Sequence, residues 1–351
     1  MVEKIKLAQG AGGEQMDQLI KEKILKYFGE QTTKGEVSLS MLDDSAVIDD
    51  IVFSTDSHTV QPIIFPGGDL GSLAVAGTVN DISVMGAKPI ALSSGFIIEE
   101  GLDLDVFEII VKSMSKCANA AGVPIVTGDT KVLEKGAIQD FIINTSGIGK
   151  RTMLLDKNIE VVKNFRNFNS RWLLDSNLKN GDVIILSGNI GEHGIALMSY
   201  REGYGFETEI KSDVAPINRL MENALMVGGV VSAKDPTRGG LSNTVNEFSE
   251  KSKVGILLDE ESIPVPTGVR SACDMLGIDP LEIGNEGKVV LGVVKERADD
   301  VLKVIKHHPL GKNAAVVGEV TNKVNGVVLE TTVGGKRNLH KPIGDPVPRI
   351  C

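Results

Sequence analysis

Strand-like and helix-like segments follow one another irregularly along this chain. In the first 155 residues, several short strand-like runs precede a helical pattern at about Gly71–Met85, and two more strand-like runs follow a second helical pattern at Asp103–Ala121. A doubly wound parallel sheet requires regular alternation of strands and helices, so the pattern predicts an α+β fold. Further helical patterns at Ile217–Gly228 and Thr237–Lys251 alternate with strand-like runs, and 351 residues are enough for two domains.

The composition changes at two points that suggest domain boundaries. We expect an N-terminal domain over residues 1–155, a second domain over 156–333 and a flexible tail over 334–351. The stretch Met153–Asn180 is rich in Asn and Arg and contains Trp172, and we interpret it as a linker with an embellishment. Polar segments of this kind commonly separate domains.

Composition and charge exclude several classes of protein. With 42% apolar and 24% charged residues, the chain is typical of a soluble globular protein. Its net charge of −10 argues against nonspecific binding to nucleic acid or to anionic membranes. No apolar run approaches a transmembrane helix, and the first residues lack a signal peptide's apolar core. Three cysteines without disulfide or metal-site spacing fit a reducing cytoplasm.

The sequence closes with Cys351, which follows Pro346, Pro348 and Arg349. The prolines favour an extended backbone, on which a terminal thiol can enter a pocket as a carried group. Arg349 favours the thiolate, the nucleophilic form, while the nearby terminal carboxylate opposes it. From position alone, a frayed chain end is an equally good interpretation. The tail is basic overall, so it can dock on an acidic body or a partner, or remain solvated.

Aspartates recur beside glycine or small residues at the ends of strand-like runs. The segments contain Asp44, Asp56, Asp81, Asp129 and Asp235. Mg²⁺ prefers hard oxygen ligands and retains water and phosphate, so such carboxylates are typical of its sites. One such aspartate alone is more often a turn or N-cap residue, but five in one chain favour a metal site. The chain has neither a phosphate loop nor a dinucleotide-binding fingerprint.

The five histidines have no spacing that suits a zinc site. His193, within Gly191-Glu192-His193-Gly194, is either an acid–base group or a turn histidine. The residues alone leave both interpretations open.

Several short motifs occur in an order that resembles a known family. They are Asp43–Ala46, Ser54–Asp56, Asn80–Ala87, Gly128–Val132, Asp235–Gly240, Asn285–Gly287 and Pro348–Cys351. Together they resemble the HypE family of hydrogenase maturation proteins, within the ATP-using superfamily of aminoimidazole ribonucleotide synthetase and selenophosphate synthetase. The resemblance covers nearly the whole chain, and the polar stretch Asp156–Asn177 is its one departure.

The resemblance implies a two-domain, aminoimidazole-ribonucleotide-synthetase-like α+β fold that forms a homodimer through its N-terminal domains. It implies ATP between the domains, with Mg²⁺ holding the phosphates. It further implies that HypF, a carbamoyltransferase, loads Cys351, and that ATP-dependent dehydration converts the carbamoyl group to thiocyanate. The cyanide would then pass to the HypC–HypD complex, which builds the iron–cyanide centre of nickel–iron hydrogenase.

The resemblance also implies roles for individual residues. The expected metal ligands are Asp44, Asp56, Asp81 and Asp235, with Asp129 as a fifth. The expected phosphate contacts are Asn80, Gly10, Gly12, Gly13 and Lys131. Lys131 is alternatively a proton acceptor, and Glu286 is the candidate general base. The catalytic set is Cys351, Glu286, Lys131 and His193.

Two further functions stay open at this point. A non-catalytic carrier would use Cys351 to shuttle a group made elsewhere, with ATP as a conformational switch. A synthetase acting on a free small molecule would leave Cys351 without a purpose. Selenophosphate chemistry is also disfavoured, because the arm Gln9–Gly13 contains no cysteine.

Overall fold

The computed structural model describes residues 4–201, 209–344, 346–347 and 350–351. Pro348 and Arg349, which the sequence analysis placed beside the terminal thiol, lie outside the described residues.

An N-terminal helical segment precedes the first sheet. It consists of α1 (Gly13–Leu19), a π-helical stretch (Ile20–Leu25) and α2 (Lys26–Phe28). Gly13 has a φ of 69°, and a Cβ there would collide with the carbonyl oxygen of Pro342. Glycine therefore lets this segment lie directly against the chain near its C-terminal end.

The first half of the chain contains a mixed sheet and two helices. Its elements are β1 (Ala46–Ile48), β2 (Ile51–His58), β3 (Ile64–Phe65), β4 (Gly68–Asp69), α3 (Leu70–Val84), β5 (Lys88–Glu99), α4 (Leu104–Ala121), β6 (Ile125–Leu133) and β7 (Phe141–Lys150). Among the described residues, the strand order is β1-β2-β7-β5-β6, and only the β5–β6 pair is parallel.

Helix α3 lies between the first sheet and α4, and nearly all of its side chains are buried. Asp69 caps its first turn: the carboxylate accepts from the Ser72 backbone N–H at 2.9 Å, and the Ser72 hydroxyl accepts from the Asp69 N–H at 3.0 Å. The helix has small or apolar residues around its whole circumference, which is typical of a helix buried by neighbouring elements on every face. This central position buries Asn80 completely and leaves the neighbouring Asp81 half-buried.

The second half of the chain surrounds a larger sheet. Its elements are α5 (Met153–Lys163), β8 (Val183–Leu186), α6 (Glu192–Tyr200), α7 (Asn218–Val227), β9 (Val230–Lys234), α8 (Gly240–Ser252), β10 (Gly255–Asp259), α9 (Thr267–Leu276), β11 (Val290–Val293), α10 (Ala298–His307), β12 (Ala315–Thr321), β13 (Val327–Glu330) and β14 (Lys336–Asn338). Within the described ranges the strand order is β14-β13-β10-β12-β8-β11-β9. The predicted α+β class is confirmed; the domain boundaries at 155 and 333 stay predictions.

The stretch interpreted as a linker is more ordered than the sequence analysis expected. Its first part is α5, whose Leu155, Ile159 and Val162 are buried at the i, i+4, i+7 spacing of one helical face. Trp172 is also buried, and its Nε1–H donates to Oε2 of Glu36 at 3.2 Å. The frequent Asn and Arg residues concealed this apolar face in the sequence.

The tail predicted to be flexible from residue 334 onward is partly packed in the structure. Lys336–Asn338 form β14, which pairs antiparallel with β13. Leu339, Val347 and Ile350 are buried. Burial of these apolar side chains favours docking of the tail over a solvated chain end.

No helix in the described part of the chain combines the length and the apolar character that a membrane span requires.

Candidate active site

A cavity of about 500 Å³ lies between the N-terminal helical segment, the first sheet and the start of α8. Residues that are far apart in the sequence meet in its wall. The lining includes Gly12, Gly13, Asp17, Asp43, Asp44, Asp56, Asp81, Lys234, Asp235, Arg238, Glu286 and Cys351. Most of the predicted site residues thus come together in one concave, largely acidic space.

Three aspartates form the closest group of carboxylates in the cavity. Asp44 precedes β1, Asp81 lies on α3 and Asp235 follows β9. One carboxylate oxygen of each lies within 4.8 Å of the others. The Ser54 hydroxyl donates to Oδ2 of Asp81 at 2.7 Å, whereas Oδ2 of Asp235 is buried with no hydrogen-bond partner among the described residues.

The electrostatics of this group favour a bound cation. Burial is the main cause that raises the pKa of each carboxyl, and neighbouring aspartates raise it further. For Asp81 the pKa lies well above its usual value, and for Asp235 it rises to about 6. A divalent cation relieves such repulsion, and carboxylate oxygens are the ligands that Mg²⁺ prefers.

The other two predicted metal ligands lie apart from this group. Asp56 on β2 lines the cavity, and Oδ2 accepts from the Thr78 hydroxyl at 3.4 Å. Asp129 and Lys131 lie on the edge strand β6, with side chains 75% and 69% exposed and Nζ 3.9 Å from Oδ2. The fold of one chain does not bring Asp129 and Lys131 into the cavity lining, because β6 lies at the far edge of the sheet from β1 and β2.

The structure separates the predicted phosphate contacts. Gly12 and Gly13 line the cavity, and the carbonyl oxygen of neighbouring Gly10 accepts from Nη1 of Arg238 at 3.4 Å. Asn80 instead faces the interior: Nδ2 donates to the carbonyl oxygens of Ala215 (3.2 Å) and Glu286 (3.3 Å). Its Oδ1 accepts from the backbone N–H of Ile217, the residue just before α7, at 2.8 Å. With these groups already bonded, Asn80 braces the site in this structure, and its expected contact with phosphate stays a prediction.

Glu286 has the environment of a candidate base. It lines the cavity, and its buried Oε1 has no hydrogen-bond partner among the described residues. Burial raises its pKa well above the usual range, and the charges of Asp235 and Asp213 add to the effect, while Arg238 opposes it. Asp213 fixes the loop, since its Oδ1 accepts from the Glu286 backbone N–H at 3.1 Å. A desolvated carboxylate with an unpaired oxygen is a stronger proton acceptor than an exposed one.

The terminal residue reaches the same cavity. Cys351 lines it, and a main-chain oxygen of Cys351 accepts from the Thr59 hydroxyl at 3.3 Å. The negative charge of Cys351 is the main cause that raises the pKa of Arg238. His193 lies behind the lining: Nε2 is 2.8 Å from the carbonyl oxygen of Ile350 and Nδ1 is 2.7 Å from Oγ of Ser212. The structure therefore separates His193 from the space where an acid–base group would act.

A buried network of charges, which the sequence did not predict, lies close to the three aspartates. Nζ of Lys234 lies 3.1 Å from Oε2 of Glu247 and 3.3 Å from Oδ2 of Asp175. Lys251 also pairs with Asp175, at 2.7 Å. Lys234 directly precedes Asp235, a position that could have drawn attention to it. Asp175 gave no local signal, because it lies within the stretch interpreted as a linker.

The fold and the site define a class of protein. The family model of the N-terminal domain of AIR synthase related proteins matches residues 42–150, and that of the C-terminal domain matches residues 179–330. The two matches together cover both sheets up to β13. The chain therefore has the two-domain architecture of this class.

Individual relatives narrow the class to one family. Carbamoyl dehydratase HypE of Escherichia coli is 40% identical over 350 residues, which cover 99% of each chain. The crystal structure of a HypE–HypF complex matches 92% of this chain and 99% of its own, with 43% identity and a TM-score of 0.82. A HypE crystal structure in complex with ATP matches 98% of this chain and 99% of its own, with 41% identity and a TM-score of 0.78. The chain belongs to the HypE family of hydrogenase maturation proteins.

Proposed function

We propose that this protein is an ATP-dependent dehydratase that converts a carbamoyl group on its own Cys351 to thiocyanate. The observation that carries the proposal is that Cys351 lines the same cavity as the three aspartates and Glu286. A carrier thiol, an acidic cluster that can hold Mg²⁺ for the phosphates and a buried base are the three parts that such a reaction needs. The name carbamoyl dehydratase of the Escherichia coli relative and the ATP complex of another HypE support this assignment.

The cavity fits the substrates in charge and in size. Asp44, Asp81 and Asp235 would hold Mg²⁺, since one oxygen of Asp235 has no other partner among the described residues. Mg²⁺, when bound, neutralises charge on the transferring phosphoryl group. A volume of about 500 Å³ lies within the range of small-molecule sites. Gly12 and Gly13 expose backbone close to this space and suit phosphate contact.

The reaction balances as a dehydration that consumes ATP. The carboxamide oxygen of S-carbamoyl Cys351 attacks the γ-phosphorus of ATP, and ADP leaves. The nitrogen loses two protons in total, the carbon–oxygen bond breaks, phosphate leaves and the carbon–nitrogen triple bond forms. Phosphorylation converts a poor leaving group into a good one.

Glu286 is the residue best suited to accept a proton from the carboxamide nitrogen. Its raised pKa brings the carboxyl closer to the working pH, where a general base is most effective. Arg238 lies near both Glu286 and Cys351 and supplies positive charge close to the tail. Asp213 and Asn80 hold the loop that carries Glu286.

We also propose the partners that the reaction requires. A HypF carbamoyltransferase would load Cys351, which the HypE–HypF complex of a relative supports. The HypC–HypD complex would receive the cyanide. For loading, the tail must leave the cavity, so docking has to be reversible.

A second copy of this chain is the proposed partner of the first sheet. Apolar side chains on neighbouring strands are exposed there, including Ile51 (50%), Phe53 (49%) and Ile148 (37%). On β6, Val126 and Val132 are 63% and 64% exposed. An apolar surface on a sheet and its edge is typical of an interface. A homodimer would cover this surface, and Asp129 and Lys131 would then act at the cavity of the partner subunit.

The mass of the C-terminal peptide tests the proposed function. The protein is incubated with HypF, a carbamoyl donor and ATP, then digested and measured. We expect the peptide to gain a carbamoyl group and then to lose one water only when ATP is present. Cys351→Ser is the control that should not reach the thiocyanate mass. A carbamoylated peptide that never loses water, while ATP binds, would instead identify a non-catalytic carrier.

A further inference from the structure

His193 is a buried polar side chain that the proposed reaction does not use directly. It lies on α6, has no exposed surface and is outside the cavity lining. Its two ring nitrogens nonetheless connect segments that are distant in sequence, Ile350 in the tail and Ser212 before α7. A buried ring with both nitrogens engaged is held in one orientation.

The hydrogen-bond partners determine where the ring proton lies. A backbone carbonyl oxygen only accepts, so Nε2 of His193 carries the hydrogen and donates it to Ile350. The Ser212 hydroxyl oxygen accepts from the Val214 backbone N–H at 3.1 Å, which leaves its own hydrogen for Nδ1. Burial lowers the pKa of His193 and keeps the ring neutral, in agreement with this pattern.

The residues beside Cys351 occupy an apolar socket next to this histidine. Val347 and Ile350 are 0% and 2% exposed. A Cβ at Gly194 would come within 3.5 Å of both side chains, and one at Gly284 within 3.0 Å of Ile350. The lack of a side chain at Gly284 therefore leaves room for Ile350, whereas the distances at Gly194 correspond to ordinary contact with the tail. The histidine bond therefore acts on a segment that is already enclosed.

The segment around Ser212 also contacts the rest of the site. The Ser212 backbone N–H donates to the carbonyl oxygen of Pro66 at 2.8 Å. The next residue, Asp213, accepts from the backbone N–H groups of Glu286 and Gly287 at 3.1 and 3.2 Å. One short segment thus bonds to the first half of the chain, to the loop of the candidate base and to the histidine that contacts the tail.

We propose that His193, oriented by Ser212, is a positioning residue that anchors the tail through the carbonyl of Ile350 and so places Cys351 beside Glu286. This role rests on the proposed dehydration, because a carbamoyl group must be held near its base to react. The donor at Nε2 contributes direction as well as affinity: it sets the orientation of the peptide that precedes the reacting cysteine.

Access to the Cys351 thiol tests the anchor without any catalysis. The full-length protein, free of nucleotide, is treated with N-ethylmaleimide, and the rate of Cys351 modification is read from the mass of the C-terminal peptide. His193→Gln retains an N–H donor and an acceptor for Ser212, whereas His193→Met has neither. His307→Met, which alters a histidine exposed at the end of α10, is the control.

We expect His193→Met to raise the modification rate about fivefold or more, the effect of losing one buried hydrogen bond, and His193→Gln to stay within about twofold of wild type. Ser212→Ala should give an intermediate rise and serves if His193→Met fails to fold. Equal rates in wild type and His193→Met, or His193→Gln as fast as His193→Met, would overturn the anchor.

A second readout separates this proposal from the proposed function. In carbamoylated protein with ATP, His193→Met should slow water loss from the tail, and His193→Gln should restore it. If the wild-type tail never loses water, the dehydratase assignment fails, while the order of maleimide rates still supports or refutes the anchor.

Discussion

Nζ of Lys234 lies 2.5 Å from Oδ1 of Asp44, so one of the proposed metal ligands already has a cationic partner. The lysine is buried and also contacts Glu247 and Asp175. Without a bound metal, this positive charge offsets part of the repulsion among the carboxylates. It also fixes one oxygen of Asp44.

Replacement of Lys234 should therefore destabilise the metal-free protein strongly. In Lys234→Met the carboxylates of Asp44 and Asp175 lose a buried partner, for which we expect a loss of about 3–5 kcal/mol in the free energy of unfolding. Urea unfolding at neutral pH measures it. The control is Lys112→Met, which removes an exposed pair with Glu108 and should cost at most about 1 kcal/mol. Equal losses in the two variants would contradict the role assigned to the buried lysine.

Asp235→Asn should change stability with pH in a defined direction. Burial, as the main cause, raises the pKa of Asp235 from 3.8 to about 6, so the folded state binds this proton more tightly than the unfolded state. The resulting stabilisation is complete below the unfolded pKa and is lost as the pH rises through the folded value. Asparagine does not titrate, so the metal-free variant should gain up to about 2–3 kcal/mol relative to wild type between about pH 4 and pH 7.

Unfolding of wild type and Asp235→Asn at both pH values, with EDTA present, measures this difference. Addition of Mg²⁺ at neutral pH should make wild type more stable than Asp235→Asn, because wild type then binds the cation more tightly than the variant. A stability difference that is independent of pH and of Mg²⁺ would exclude Asp235 from the metal site.

Glu286→Gln should retain ATP and the carbamoylated tail but slow the loss of water. A positioned general base contributes about 10²–10⁴-fold, so the rate should fall within that range. Glu282→Gln, in the same loop but outside the cavity lining, is the matched control and should react at nearly the wild-type rate. The mass of the tail peptide over time gives both rates. Rapid conversion in Glu286→Gln would transfer the proton-acceptor role to another residue.

Lys131 should act on the cavity of the partner subunit, because its own chain leaves it exposed on β6. Lys131→Met alone should be slow, and Cys351→Ala alone inactive. Mixed dimers of the two should regain part of the wild-type rate, since the intact Cys351 of one subunit then meets the intact Lys131 of the other. Water loss from the tail in re-equilibrated mixtures measures this. No recovery in mixtures that are dimeric by mass would contradict action across the interface.

The residues of the site that lie in recognisable short motifs could be predicted from the sequence. Asp81 follows Asn80 in an apolar helix, and Asp235 follows a buried strand, so both carried a recognisable pattern. The socket for the tail had no such pattern, because it depends in part on the absence of a side chain at Gly284. Such a space exists only after distant segments have come together.

Residues that act through charge networks or hydrogen bonds were hardest to predict. Asp175 lies in a polar stretch that was interpreted as a linker. Its role depends on ion pairs with Lys234 on β9 and Lys251 on α8, which are distant in the sequence. His193 was recognised as unusual, but its partners Ser212 and Ile350 are set by tertiary packing. The phosphate contact expected of Asn80 came from the family resemblance, whereas in the structure its side-chain amide faces the Glu286 loop.

The fate of the carbamoyl oxygen tests the proposed mechanism most directly. If HypF is supplied with a carbamoyl donor labelled with oxygen-18, the label enters the carboxamide on Cys351. Phosphorylation of that oxygen predicts that, after reaction with ATP, the label appears in the inorganic phosphate and the tail peptide has the thiocyanate mass. Unlabelled phosphate with the label retained on the tail, or released as water, would contradict the proposed mechanism.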